Sequence, residues 1–124
     1  MQRVNVDRVN TVLYCDRWAA TVAFYRELLG LDVVYESDWF VEFRLTREAF
    51  LSIADARLAT IDAVDGKGVT LTLHTDALAE TRALLDGNGV ATTPIAQRWG
   101  ADVFYCHDPE GHRIEFWCDG PPTA

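Results

Sequence analysis

The chain has 124 residues, of which 49% are hydrophobic, enough to bury one core, so a single domain is the natural count. A formal net charge of −8 argues against nucleic acid as a partner and is compatible with a cationic ligand. The N-terminus MQRVNVDRVN has no apolar signal region, no run is long enough to cross a membrane, and the three cysteines form neither a disulfide framework nor a C-x-x-C zinc motif, so a soluble, cytoplasmic protein is expected.

Val9 to Cys15 has strand character. Asp16 is the expected N-cap of a helix running to about Leu29, with Trp18, Val22, Tyr25 and Leu29 on one apolar face and Gly30 as its terminator. Leu31–Tyr35, Trp39–Leu45 and Phe50–Ala54 read as three further strands, and Asp55–Lys67 as a linker ending in Gly66-Lys67-Gly68. The pattern then restarts. Val69–Thr75 is a strand, Asp76 the expected cap of a second helix carrying Leu78, Arg82 and Leu85, and Asp86-Gly87-Asn88-Gly89 its end. Val90–Pro94 reads as a short strand. Asp102–His107 and His112–Cys118 form a hairpin turned by Asp108-Pro109-Glu110-Gly111. His112, inside that turn, is expected to be exposed.

Val9, Leu13 and Asp16 match Val69, Leu73 and Asp76 at one constant offset. The chain is therefore read as an α+β fold of two tandem β-α-β-β-β modules, about 1–58 and about 66–120, within one domain spanning 1–124.

The run F-x-x-x-DPEGHRIEF resembles the closing hairpin of the vicinal oxygen chelate superfamily, which includes glyoxalases, extradiol dioxygenases, fosfomycin-inactivating enzymes and bleomycin-resistance binding proteins. VLYCDRWAATVAFYRELLGLDV resembles the first strand and helix of that family, and GVTLTLHTDALAETRALLDGNGV the second pair. The resemblance implies modules that together form a cupped, partly open barrel-like sheet with helices outside. It also implies a homodimer, and clefts that often form between subunits.

Strand alternation sorts the side chains. Asn10, Val12 and Tyr14 are expected on the cleft side, with Phe40, Glu42, Arg44 and Ser52. From the second module come Thr70, Thr72, His74, Val103, Tyr105, His107, Glu115 and Trp117. Ile114 and Phe116 should face the core. Cys15 and Cys106 read as core-facing and unreactive. Glu115 beside Trp117 needs a partner if it is buried. Trp39 and Trp99 stand at strand starts beside polar residues. Aromatic walls with one or two carboxylates suit a flat, cationic or hydrogen-bonding molecule. The ligand-binding set is accordingly Asn10, Tyr14, Trp39, Phe40, Glu42, Ser52, Thr70, His74, Trp99, Tyr105, His107, Glu115 and Trp117.

The resemblance implies a divalent ion held by four inward side chains, at positions that fall on Asn10, Ser52, Thr70 and Glu115. Only Glu115 is a good ligand for a first-row metal. No metal or other cofactor is therefore expected. A divalent metal on an unorthodox set of His74, His107 and Glu115 is the alternative. Two readings follow. The first is a metal-free small-molecule binding protein resembling the bleomycin-resistance group, which sequesters an aromatic or cationic compound as in antibiotic self-protection. The second is a glyoxalase-like lyase, isomerase or epimerase with Glu115 as metal ligand or general base and His74 or Glu42 as its acid–base partner. A scaffold without a ligand is a third, weaker reading.

Overall fold

A computed structural model describes residues 2–120. Two compact units divide it, one up to Asp65 and one from Gly66 onward. The fold class is α+β, with a four-stranded mixed sheet in each unit.

In the first unit β1 (Val9–Cys15) is followed by α1 (Trp18–Ala23), β2 (Asp32–Glu36), β3 (Phe40–Thr46) and β4 (Ala49–Asp55). The sheet order is β1-β4-β3-β2, with β1 parallel to β4 and the other pairs antiparallel. The expected long first helix is instead a short α-helix that widens into a π-helical turn over Phe24–Leu28. There the Leu29 N–H reaches the Phe24 carbonyl at 3.0 Å. Gly30, at φ 68°, then ends the helix as anticipated. Asp16 is not the cap. Arg17 holds that position without a side-chain cap bond, because a guanidinium has no acceptor to offer the first-turn N–H groups; its carbonyl accepts from the Thr21 hydroxyl (2.7 Å) and the Thr21 N–H (3.0 Å). Trp18 Nε1 donates to the Ile53 carbonyl at 2.9 Å and so pins the helix start to β4. Leu13, Cys15, Val22, Tyr25, Val41, Phe43, Leu51 and Ile53 form the buried core between sheet and helix.

The second unit repeats the plan. β5 (Thr70–His74), α2 (Leu78–Gly87), β6 (Ala96–Arg98), β7 (Ala101–His107) and β8 (Arg113–Asp119) follow one another, in sheet order β5-β8-β7-β6. The parallel pair is now β5 with β8. Asp76 is not the cap of α2 either. Ala77 holds that place, and the Thr75 hydroxyl accepts from its N–H at 3.2 Å. Residues 90–94 do not form the expected strand. Pro94 has no N–H to offer a ladder, and Thr93 instead meets β7 twice. Its N–H donates to the Tyr105 carbonyl at 3.0 Å, and its hydroxyl accepts from the Tyr105 N–H at 2.9 Å. Strand pairing resumes only at Ala96. Phe104 and Phe116 stack at 5.3 Å between ring centroids, and Leu71, Leu78, Leu85, Cys106 and Ile114 complete this core.

The β7–β8 turn is more buried than its sequence suggests. Asp108 Oδ1 accepts from the backbone N–H of Glu110, Gly111 and His112, each at 3.0 Å. Asp108 Oδ2 accepts from His112 Nδ1 at 2.8 Å. His112 is buried, not exposed as expected, because a carboxylate four residues earlier satisfies its ring N–H. A methyl group on Gly66 would lie 2.3 Å from the Gly111 carbonyl carbon and the His112 nitrogen, so the Gly66 loop rests directly on this turn.

Replacing Asp108 with alanine strands the Glu110 and His112 N–H groups and a buried imidazole, while the Gly111 N–H keeps the residue-108 backbone carbonyl. The expected loss is about 3 kcal/mol of unfolding free energy, seen as a lower urea midpoint, with Asp108→Asn losing less.

Candidate functional site

Each sheet has one face turned to its helix and one face without it. On the first unit's helix-free face β1 supplies Asn10, Val12 and Tyr14, β4 supplies Phe50, Ser52 and Ala54, and β3 supplies Phe40, Glu42 and Arg44. Alternation places Asn10, Val12, Tyr14, Phe40, Glu42, Arg44 and Ser52 on this side; Phe50 and Ala54 are additional to that set. Ser52 is fully buried, and its hydroxyl donates to Asn10 Oδ1 at 2.8 Å. Arg44 lies over the Phe50 ring, 5.1 Å from its centroid. Tyr14, Trp39 and Phe40 line one small pocket with Val12, Ala54, Leu58, Ala59 and Thr60. Its volume is about 170 Å³, and no carboxylate or basic side chain lines it. The Trp39 and Phe40 rings are 5.4 Å apart, and the Tyr35 ring, outside the pocket lining, is 6.3 Å from Phe40.

On the second unit's helix-free face β8 is central. Arg113 lies opposite Thr70 and His107, Glu115 opposite Thr72 and Tyr105, and Trp117 opposite His74 and Val103. Glu115 is half-buried, and its partner is a phenol. Tyr105 Oη donates to Glu115 Oε2 at 2.9 Å. That bond, with some desolvation, holds the Tyr105 hydroxyl above the ordinary tyrosine range, because ionising it would set a phenolate against a carboxylate. Arg113 Nε donates to Thr70 Oγ1 at 3.0 Å, and its guanidinium lies 4.7 Å from the Tyr105 ring centroid. His74 turns away from Glu115. Its Nε2 sits 3.4 Å from Asp119 Oδ2, and its ring meets Trp117 edge-on at 4.5 Å. His107 is exposed at the end of β7, and Trp99 stands in the β6–β7 turn at φ 49°, 94% exposed. A second apolar recess of about 300 Å³ is lined by Thr93, Pro94, Ala96, Arg98, Val103 and Tyr105.

These contacts test the metal positions. In the first unit an amide oxygen and a hydroxyl are bonded to each other. In the second a hydroxyl is taken by a guanidinium and the single carboxylate by a phenol. A cation already lies on Thr70, where a dication would need a ligand, and neutral hydroxyls do not displace water from a first-row metal. The residues present do not fit such a centre. His74 and His107 lie on different strands, paired with Trp117 and Arg113 rather than with Glu115.

Cys15 and Cys106 are buried, and burial pushes the Cys106 thiol up to about 11. Arg113 was absent from the residues proposed on sequence, although the alternation that groups Glu115 with Trp117 also includes it. No pattern in the sequence announces that it stacks on Tyr105.

A family model described as the Glyoxalase/Bleomycin resistance protein/Dioxygenase superfamily matches residues 6–116. No curated protein matches the chain. Among solved structures, protein ATC0852 from Agrobacterium tumefaciens is 29% identical, with a TM-score of 0.78 over 96% of this chain and 100% of that one. TnmS3, an antibiotic binding protein from Streptomyces sp. CB03234, is 19% identical with a TM-score of 0.78, covering 97% of this chain and 99% of that one. Lactoylglutathione lyase from Agrobacterium tumefaciens is 21% identical with a TM-score of 0.74, covering 89% and 91%. At such identities the last two share the fold alone.

Because its folded pKa is raised, Tyr105 contributes stability that is fully present below the unfolded tyrosine value of about 10 and is lost as pH rises through the folded value. In ultraviolet pH titration one tyrosine should ionise late, and Glu115→Gln should bring that transition back toward the ordinary range.

Proposed function

Because the chain belongs to the glyoxalase, bleomycin resistance protein and dioxygenase superfamily, we propose that it is a metal-free binding protein for a small aromatic molecule. The observation that supports this reading is the pocket of Tyr14, Trp39 and Phe40 in the first unit. Its about 170 Å³ lie below the roughly 300–1,000 Å³ usual for drug-sized ligands, so it suits one flat ring system or the aromatic end of a larger compound. Aromatic side chains hold such a group by area burial and by offset or edge-on ring contact. The lining has no carboxylate, and Glu115 is engaged by Tyr105, so a neutral aromatic is favoured over a cation. Sequestration of an antibiotic fits this chemistry, and antibiotic binding is the property named for TnmS3.

A second reading, a lyase, isomerase or epimerase, rests on the Tyr105–Glu115 pair. A carboxylate that accepts from a phenol is a general base with an adjacent proton donor. It lacks one of its expected partners, since His74 turns to Asp119.

The test is tryptophan fluorescence with 2-naphthol as neutral probe and acridine orange as cationic probe, alongside elemental analysis. Saturable quenching by 2-naphthol that is mostly lost in Trp39→Phe is the expected result, with acridine orange binding no more tightly. Stoichiometric divalent metal that disappears in Glu115→Ala, or quenching untouched in both Trp39→Phe and Phe40→Ala, would overturn the reading.

A further inference from the structure

We infer that the second unit carries an oxyanion-binding site, for a phosphate or carboxylate group, between the Gly66–Thr70 loop and the start of β8. A cavity of about 410 Å³ there is lined by Gly66, Lys67, Gly68, Val69, Thr70, His107, Gly111 and Arg113. Two of these side chains are permanent cations and a third is an imidazole, while none is acidic. That is a strong local reversal in a chain with 19 carboxylates and a net charge of −8. Lys67 is the only lysine in the sequence.

The cations are also uncommitted. Arg17, Arg26, Arg47, Arg57 and Arg82 each pair with a carboxylate. Among the described residues, Lys67, His107 and Arg113 pair with none, as is also true of Arg3, Arg8, Arg44 and Arg98; what sets the three apart is that they line one cavity. Arg113 is nonetheless held in place, because Nε is bonded to Thr70 Oγ1 and the guanidinium plane rests on Tyr105. This leaves its two terminal nitrogens as a fixed fork, the geometry that meets a carboxylate or phosphate with paired hydrogen bonds.

The opposite wall is fixed as well. Gly66 and Gly68 flank Lys67 at φ 73° and 84°, and Gly66 sits against the Gly111–His112 backbone with no room for a side chain. The loop that presents Lys67 is thereby locked onto the Asp108-capped turn. A site whose backbone is already ordered spends less binding energy on ordering itself. Thr70 and Thr72 add hydroxyls on the same strand, on the side that faces Arg113 and Glu115.

The site does not depend on the aromatic reading, and its test uses different probes. Amide and Arg Nε shifts of the isotope-labelled full chain would be followed by NMR during titration with inorganic phosphate, and separately with acetate, at ionic strength held constant with chloride. Saturable shifts confined to residues 66–70, His107 and Arg113 are expected. Lys67→Gln and Arg113→Gln should each weaken binding about fivefold, and Lys67→Arg should restore it. Arg47→Gln, the same charge change at an exposed first-unit position, should have no effect. Saturation by phosphate alone would assign the site to phosphate-bearing ligands, and saturation by both anions would assign it to oxyanions generally. Shifts that spread over all basic residues without saturating, or binding unchanged in Lys67→Gln, would overturn the inference. Lys67 is exposed, so that variant decides the matter even if Arg113→Gln fails to fold.

Discussion

The Asp108 carboxylate holds together the part of the molecule on which the second site is built. Three backbone N–H groups converge on one of its oxygens and the His112 ring on the other. A carboxylate taken out of water is costly unless donors of this kind replace its hydration. Here they do, and the replacement freezes the turn. With the turn frozen, β7 and β8 pair in one register, which sets Tyr105 opposite Glu115 and His107 opposite Arg113. A slip of one residue would carry Arg113, Glu115 and Trp117 to the helix side and Ile114 and Phe116 into their place. The buried Phe104–Phe116 stack enforces the same register from the other face.

That register has a chemical consequence. Along β8 the polar face carries a guanidinium, a carboxylate and an indole in alternate positions. Each finds a partner on a neighbouring strand: Thr70 for Arg113, Tyr105 for Glu115, His74 for Trp117. Superfamily membership alone does not fix what stands at a family position; at Asn10, Ser52, Thr70 and Glu115 the side-chain oxygens are engaged by one another, by Arg113 or by Tyr105.

The two units use one plan for different surfaces. Strand order and pairing repeat, with β1 beside β4 as β5 is beside β8. What stands on the strands does not repeat. Ser52 and Glu42 face each other in the first sheet where Glu115 and Tyr105 do in the second. The first unit gathers Tyr14, Trp39 and Phe40 into an apolar recess, and the second gathers Lys67, His107 and Arg113 into a basic one. Backbone pairing preserves the scaffold in both units while side chains on the helix-free faces diverge.

Much of this was determined by local sequence. Strand alternation in VTLTLHT, WFVEFRL and DVFYCH, the constant offset between modules and the DPEG turn are short-range signals, and each depends on a backbone period that tertiary contacts do not alter. They were enough to set the α+β architecture and to sort Glu42, Ser52, Tyr105 and Glu115 onto the helix-free faces. Three-dimensional packing decided the rest. Whether Asp16 or Arg17 caps α1 depends on where Trp18 anchors on β4, and the fate of residues 90–94 depends on Thr93 meeting Tyr105. His112 reads as a turn residue until Asp108 is seen to satisfy it. Above all, alternation says which face a side chain occupies but not which neighbour it meets. Glu115 could have met a metal, a histidine or a phenol, and only the placement of β7 beside β8 made it Tyr105.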